Sequence, residues 1–303
     1  MVEKNRLGKS DLYVMPLTLG CMSLPLDLNE SSKIIDYALD KGINHLDTAD
    51  LYQFGENEKM IGEIIKHRRE NIILTTKVGN HFDSKKQSWY WDPSKEYIQS
   101  AVDASLQRLQ TDYIDLYLLH GGTSDDPIDE TVEAFEQLKQ VGKIRAYGIS
   151  SIRPNVIKEY VRKSKIDAVM MQYNMLDRRP EEFLDDLHEN DISVLARGPL
   201  AKGMLSNHSE KYIEEKGKDG YLEYTGQELK AINSKFRNEN ESLNSVALRY
   251  VLHHPAVKSA VFGARTVEQL MTNLDSLFLP KLSNDKIQQI KNCTTFFPYS
   301  THR

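Results

Sequence analysis

The chain has 303 residues, 40% of them apolar and 27% charged, enough for a large core and too apolar for a disordered chain. A net charge of -5 in mixed signs argues against nucleic acid or an anionic membrane as the main partner. Cys21 and Cys293 form no metal-ligand spacing and no disulfide framework, the N-terminus lacks the apolar stretch of a secretory leader, and no apolar run nears the ~18 residues of a membrane span; a reducing, cytoplasmic setting is expected, with no metal.

Residues 5–14 read as a hairpin around Gly8-Lys9-Ser10-Asp11, and Leu17 to Gly20 as a first buried strand. Asn29 is the expected cap of a helix with Ile34, Ile35, Ala38 and Leu39 inward, closed by Gly42. Ile43 onwards is a second strand that ends in Asp47, with Tyr52 five residues later. After a helix bearing Met60, Ile61, Ile64 and Ile65, the third strand runs from Asn71 to Lys77. Asp92-Pro93 reads as the start of the next helix, with aspartate as cap and proline in the first turn. The fourth strand, Tyr113 to His120, ends in a histidine. Strands at 144–150, 167–172, 192–197 and 258–262 alternate with helices at 129–140, 154–162, 180–189 and 266–277. A polar excursion over 206–227, a helical stretch at 242–253 and a closing helix at 284–293 complete the pattern.

Eight short apolar strands alternating with helices predict one domain over residues 1–303, a (β/α)8 barrel whose early hairpin closes the bottom. No Gly-x-Gly-x-x-Gly turn follows a strand, which weakens the rival doubly wound sheet.

Strands of a parallel barrel all open on one face, so three successive strand ends deliver Asp47, Lys77 and His120 to one rim, beside Tyr52. Singly, each has an ordinary structural reading as a turn cap, a solvated lysine, a core-edge histidine or a packing aromatic. Together they suit proton transfer. A carboxylate can keep a buried lysine charged, and the lysine would pull a neighbouring phenol from about 10 towards neutrality. The phenol could then exchange a proton with a carbonyl oxygen that the histidine orients.

No side chain supplies an electron pair for reduction, so a cofactor must. The late strands run into Arg197-Gly198-Pro199-Leu200-Ala201-Lys202-Gly203 and Gly263-Ala264-Arg265-Thr266, where small residues, a helix N-terminus and an arginine suit a phosphate.

Asp47-Thr48-Ala49 with Tyr52, Thr76-Lys77 and Leu118-Leu119-His120 resemble the aldo-keto reductase tetrad, and the likeness covers essentially the whole chain. The resemblance implies an NADPH-dependent reductase of small-molecule aldehydes or ketones, with Tyr52 as general acid, Lys77 and Asp47 tuning it, and His120 orienting the carbonyl. It further implies that Ser150 and Gln172 bind the carboxamide. Gly20, Cys21, Met22 and Asp47 would lie beside the cofactor, Arg197, Gly198, Pro199, Leu200, Lys202 and Gly203 along the nicotinamide and pyrophosphate, and Gly263, Ala264, Arg265, Gln269 and Asn273 at the adenosine 2′-phosphate. Three positions depart from the common family pattern: Ser151 where many relatives have Asn, Arg197 where many stack a tyrosine on the nicotinamide, and Gly263 where some carry a lysine. The aromatic-rich 80–91 stretch and the excursion are the candidate substrate loops. Two other readings stay open: a nucleotide-binding redox sensor without significant turnover, and a barrel lyase using Lys77 as a Schiff-base nucleophile. Oligomeric state is not legible, with a monomer as the simplest expectation.

Overall fold

The structure, a computed structural model, describes residues 2–83, 85–237 and 241–302. The chain opens on an antiparallel hairpin, β1 (Asn5–Arg6) and β2 (Tyr13–Val14). The strands that follow are β3 (Leu17–Gly20), β4 (His45–Asp47), β5 (Ile73–Val78), a second hairpin of β6 (Asn80–Asp83) and β7 (Ser88–Trp91), then β8 (Ile114–Leu119), β9 (Ile144–Ser150), β10 (Ala168–Gln172), β11 (Ser193–Arg197) and β12 (Val257–Phe262). All but the two hairpins form one closed parallel barrel in chain order, with β12 against β3. It is the expected (β/α)8 barrel.

Helices α1 (Leu28–Asp40), α2 (Glu56–Ile65), α3 (Lys95–Leu109), α4 (Ile128–Gln140), α5 (Pro154–Lys163) and α6 (Leu184–Glu189) return the chain between strands. The excursion after β11 holds α7 (Ser209–Lys216) and leads into α8 (Gly226–Phe236) and α9 (Leu243–Val251). After β12 come α10 (Val267–Leu274) and the closing α11 (Asn284–Cys293). None of the described helices is long and apolar enough to cross a membrane.

Two helix starts differ from the sequence expectation. Asp27, not Asn29, caps α1 by accepting from the Glu30 amide. Ser94, not Asp92, caps α3, while Asp92 Oδ1 accepts from the Ser94 hydroxyl at 2.6 Å. In both, the residue in extended backbone one step before the helix is the one whose oxygen can reach back.

Apolar strand residues split between two cores. Leu7, Leu12 and Val14 of the first hairpin pack against Ile73, Leu116, Ala168 and Leu195, so the hairpin plugs the barrel from the strands' N-terminal end. The Gly8 amide donates to Ser193 Oγ at 2.7 Å and fixes the plug. The larger core lies between barrel and helices. One polar layer crosses the barrel interior: His45 Nδ1 meets Thr18 Oγ1, and its Nε2 meets Thr75 Oγ1, both at 2.7 Å. Bonding at both ring nitrogens satisfies a histidine with no exposed surface.

The barrel is tight where β9 meets β10. A Cβ on Gly148 would stand 2.0 Å from the Ala168 carbonyl oxygen. Gly148→Ala is therefore expected to cost roughly 1–3 kcal/mol or more by overpacking. Urea unfolding checks this, with a lower midpoint at unchanged slope.

Candidate active site

The C-terminal ends of β4, β5 and β8 bring Asp47, Lys77 and His120 together, and a turn beyond β4 adds Tyr52. Lys77 Nζ lies 2.7 Å from Asp47 Oδ1, donates to the Thr48 carbonyl at 2.6 Å and to Tyr52 Oη at 3.2 Å. The Tyr52 and His120 rings meet edge to face with centroids 5.9 Å apart. Asp47 and Lys77 are buried, while Tyr52 and His120 keep part of their surface open. The four groups expected to converge do so.

Burial opposes charge on Lys77, but Asp47 and Tyr52 outweigh it and raise its pKa, so it is an ammonium. The phenol departs from expectation. Burial comes first and Asp47 adds to it, so the Tyr52 pKa lies above its ordinary value although Lys77 pulls the other way. Without a bound partner Tyr52 thus holds its proton. Burial, then Lys77 and Arg197, push His120 down to about 3, so its imidazole is neutral. Its Nδ1 is buried with no partner among the described residues.

His45 is likewise pushed down to about 3, first by burial and then by Lys77. The unfolded chain binds both protons near pH 6.5, whereas the fold takes them only near 3. The contribution of these two histidines is therefore complete above pH 6.5 and falls as pH drops towards 3, by about 1.4 kcal/mol per pH unit for each, while the raised Asp47 and Asp50 work against that fall. Urea unfolding at pH 7 and pH 5 measures the slope, which His120→Gln makes shallower.

Several supporting residues were not singled out from the sequence. Gln53 (φ 47°) and Phe54 (φ 52°) adopt left-handed backbone just after Tyr52, an unfavourable geometry for non-glycine residues that the surrounding packing must hold. Thr48 Oγ1 donates to Asn57 Oδ1 at 2.7 Å, and Asn57 Nδ2 donates to the Cys21 carbonyl at 3.0 Å, tying β4 to β3. Glu58 has no exposed surface; it takes Arg108 Nε at 2.7 Å and the Thr76 hydroxyl at 2.5 Å. Asp50 is also buried, and burial together with Glu58 raises its pKa well above the usual carboxylate range. The Asn57-Glu58 pair opening a helix beside a strand-end aspartate was the available signal.

Most of the other expected residues lie at the late strands, and Gly20, Cys21 and Met22 lie at the end of β3. Gln172 ends β10 and Arg197 ends β11, where Arg197 Nη1 donates to Gln172 Oε1 at 2.9 Å. Ser150 is buried at the end of β9. Ser151 Oγ accepts from the Arg153 amide, so it serves the loop into α5. Gly198 (φ 65°) and Lys202 (φ 58°) bend the segment around Pro199 and Leu200 to Gly203, with the Lys202 side chain exposed. Gly20 ends β3, and Met22 is exposed, but the Cys21 side chain points into the core and is pushed towards the neutral thiol by burial. At residue 263 a Cβ would stand 2.5 Å from Ser23 Oγ, so a lysine there would require the Ser23 side chain to move. Beyond Ala264, the exposed Arg265 sits at the N-terminal end of α10, its amide donating to Gln269 Oε1 at 2.9 Å. Asn273 is buried, and its Oδ1 already accepts from Asn244 Nδ2 at 2.7 Å.

Of residues 80–91, read from sequence as a loop, Asn80–Asp83 and Ser88–Trp91 pair as the β6–β7 hairpin over the rim. Trp91 Nε1 donates to Asp126 Oδ1 at 2.8 Å, and Asn80 Nδ2 reaches the His120 carbonyl at 3.4 Å. Phe82 faces Phe54 at 6.0 Å, while Trp89 and Tyr90 stand more than half exposed, at 55% and 58%.

A family model described as "Aldo/keto reductase family" matches residues 16–295. The chain is 50% identical to "Uncharacterized oxidoreductase YqkF" of Bacillus subtilis, covering 100% of both chains. It superposes on the holo form of aldo-keto reductase AKR11C1 from Bacillus halodurans with a TM-score of 0.95 at 50% identity, again covering 100% of each. The "NADH-specific methylglyoxal reductase" of Escherichia coli is 28% identical, over 91% of this chain and 94% of that one.

Proposed function

Because this chain belongs to the aldo/keto reductase family, we propose that it is an NADPH-dependent reductase of aldehyde or ketone carbonyls in which Tyr52 is the proton donor. The observation that carries the reading is the hydrogen bond from the buried Lys77 ammonium to Tyr52 Oη at the barrel mouth. A second feature, the neutral and partly unpartnered His120 beside that phenol, fits an incoming carbonyl oxygen.

When bound, NADPH supplies the hydride. Tyr52 holds the proton that the nascent alkoxide takes up. Lys77, donating to the same oxygen, stabilises the phenolate left behind, and Asp47 keeps Lys77 charged. The same charge argues against a Schiff-base lyase, which needs Lys77 as a free amine. A neutral His120 has one N–H to donate and orients the carbonyl.

The residues at the late strands fit a dinucleotide. Ser150, Gln172 and Arg197 would hold its nicotinamide end, with the 198–203 turn along the pyrophosphate. An arginine in place of the common aromatic can cover the ring by stacking. Arg265, with Gln269 and Asn273, would hold the 2′-phosphate, so NADPH is favoured over NADH. The exposed Trp89 and Tyr90 suit a carbonyl with an apolar or aromatic substituent.

The test is consumption of NADPH and NADH with a panel of such aldehydes. Faster turnover with NADPH supports the proposal, and tight binding without turnover on any carbonyl favours the sensor reading. Arg265→Gln should raise KM for NADPH about tenfold or more by loss of a charged hydrogen bond, with KM for NADH unchanged. Equal shifts for both cofactors would count against a 2′-phosphate contact.

A further inference from the structure

The excursion between β11 and α9 sends one side chain back to the cofactor end of the barrel. Tyr221 is buried, and its hydroxyl oxygen accepts from Gln172 Nε2 at 2.9 Å and from Asn174 Nδ2 at 3.0 Å. Neither amide is free to turn. Gln172 Oε1 is held by Arg197, and Asn174 Oδ1 accepts from the Leu176 and Asp177 amides at 2.9 and 2.8 Å. Asn174 Nδ2 also donates to the Gly198 carbonyl at 3.1 Å, at the residue that begins the bend after β11.

Tyr221 itself is anchored from behind. It pairs with Tyr224 through two backbone hydrogen bonds, Tyr221 amide to Tyr224 carbonyl at 3.0 Å and the reverse at 3.1 Å. The Tyr224 hydroxyl takes the Thr295 amide at 2.7 Å and donates to the Thr295 carbonyl at 3.2 Å, and its ring meets Phe297 edge to face at 5.2 Å. A continuous chain of contacts thus runs from the segment after α11, through Tyr224 and Tyr221, to Gln172 and Arg197.

We propose that Tyr221 is a positioning residue for the nicotinamide end of the bound dinucleotide, acting through the Gln172 amide and, by way of Asn174, through the Gly198 bend. The inference rests on the proposed NADPH site and adds to it a residue far from the expected motifs. With its nitrogen on Tyr221 and its oxygen on Arg197, Gln172 has one fixed amide orientation, leaving one N–H for a carboxamide oxygen. Without the hydroxyl, Arg197 still decides which end of the amide is which, but the Nε2 end loses its anchor and can swing, and a ligand must then fix the position that the free protein now holds in advance.

The experiment compares Tyr221→Phe with the wild type by NADPH fluorescence titration, alongside adenosine 2′,5′-bisphosphate, which lacks the nicotinamide end. The change removes two hydrogen bonds, from Gln172 and from Asn174, and the part felt by the bound nicotinamide, about one ordinary bond, should raise Kd for NADPH about fivefold to tenfold. Kd for the bisphosphate should be unchanged, and kcat should fall with the poorer alignment. Thr225→Ala serves as the structural control: it removes the capping box of α8 without touching the Tyr221 hydroxyl, and should lower the melting temperature while leaving both Kd values alone. Wild-type affinity for NADPH in Tyr221→Phe, or equal weakening of both ligands, would overturn the assignment. Failure of the wild type to bind NADPH would refute the proposed function itself, and the Tyr221 role with it.

Discussion

Tyr52→Phe should lower kcat/KM for carbonyl reduction by about 10²–10⁴-fold while leaving NADPH affinity and the melting temperature close to wild type. The hydroxyl is the only group removed, and with it goes the hydrogen bond from Lys77. Lys77 keeps Asp47 and the Thr48 carbonyl after the change, so the buried charge stays paired. The ring continues to face His120. Steady-state rates and cofactor titration together separate this result from misfolding. Turnover unchanged in the variant would remove Tyr52 from the role of acid.

Lys77→Met should act on both stability and rate. Asp47 would be left as a buried carboxylate without its cation, and the Thr48 carbonyl without its donor. Breaking a buried pair from one side costs about 3–5 kcal/mol. Activity should fall about 10²-fold or more, because nothing then stabilises the phenolate. The double variant Asp47→Leu/Lys77→Met removes both charges and should recover much of the stability but none of the activity. Urea unfolding and NADPH consumption read the two effects separately. Recovery of activity in the double variant would mean that the pair serves folding alone.

The tetrad could be read from sequence because a parallel barrel presents all its strand ends on one rim. Three successive apolar runs ended in Asp47, Lys77 and His120, and topology did the rest. The shell behind it was not legible. Asn57, Glu58 and Arg108 carry polar or charged side chains that sequence patterning assigns to a surface, yet mutual pairing buries Glu58 completely. His45 was hidden for the opposite reason, since its two threonine partners lie on separate strands. The phenol shows where pairwise reasoning falls short: the cation beside Tyr52 was foreseeable, but the depth of burial that outweighs it was not. Tyr221 lies in a polar stretch with no strand periodicity, and only the folded excursion brings it to Gln172. The paired residues 80–83 and 88–91 read as loop because Trp89-Tyr90-Trp91 is an unbroken aromatic run without the period-two alternation of a strand, on a two-stranded ribbon whose Trp89 and Tyr90 stay exposed.

The central claim is that this barrel moves a hydride to a carbonyl carbon and a proton from Tyr52 to its oxygen. Single turnover with an aldehyde and NADPH deuterated in the transferable position at nicotinamide C4 tests it most directly. The account predicts one deuterium on the carbinol carbon of the alcohol product in the wild type, and a much slower appearance of the same product in Tyr52→Phe. Tight binding of the nucleotide with no labelled alcohol formed from any aldehyde of the panel would contradict it.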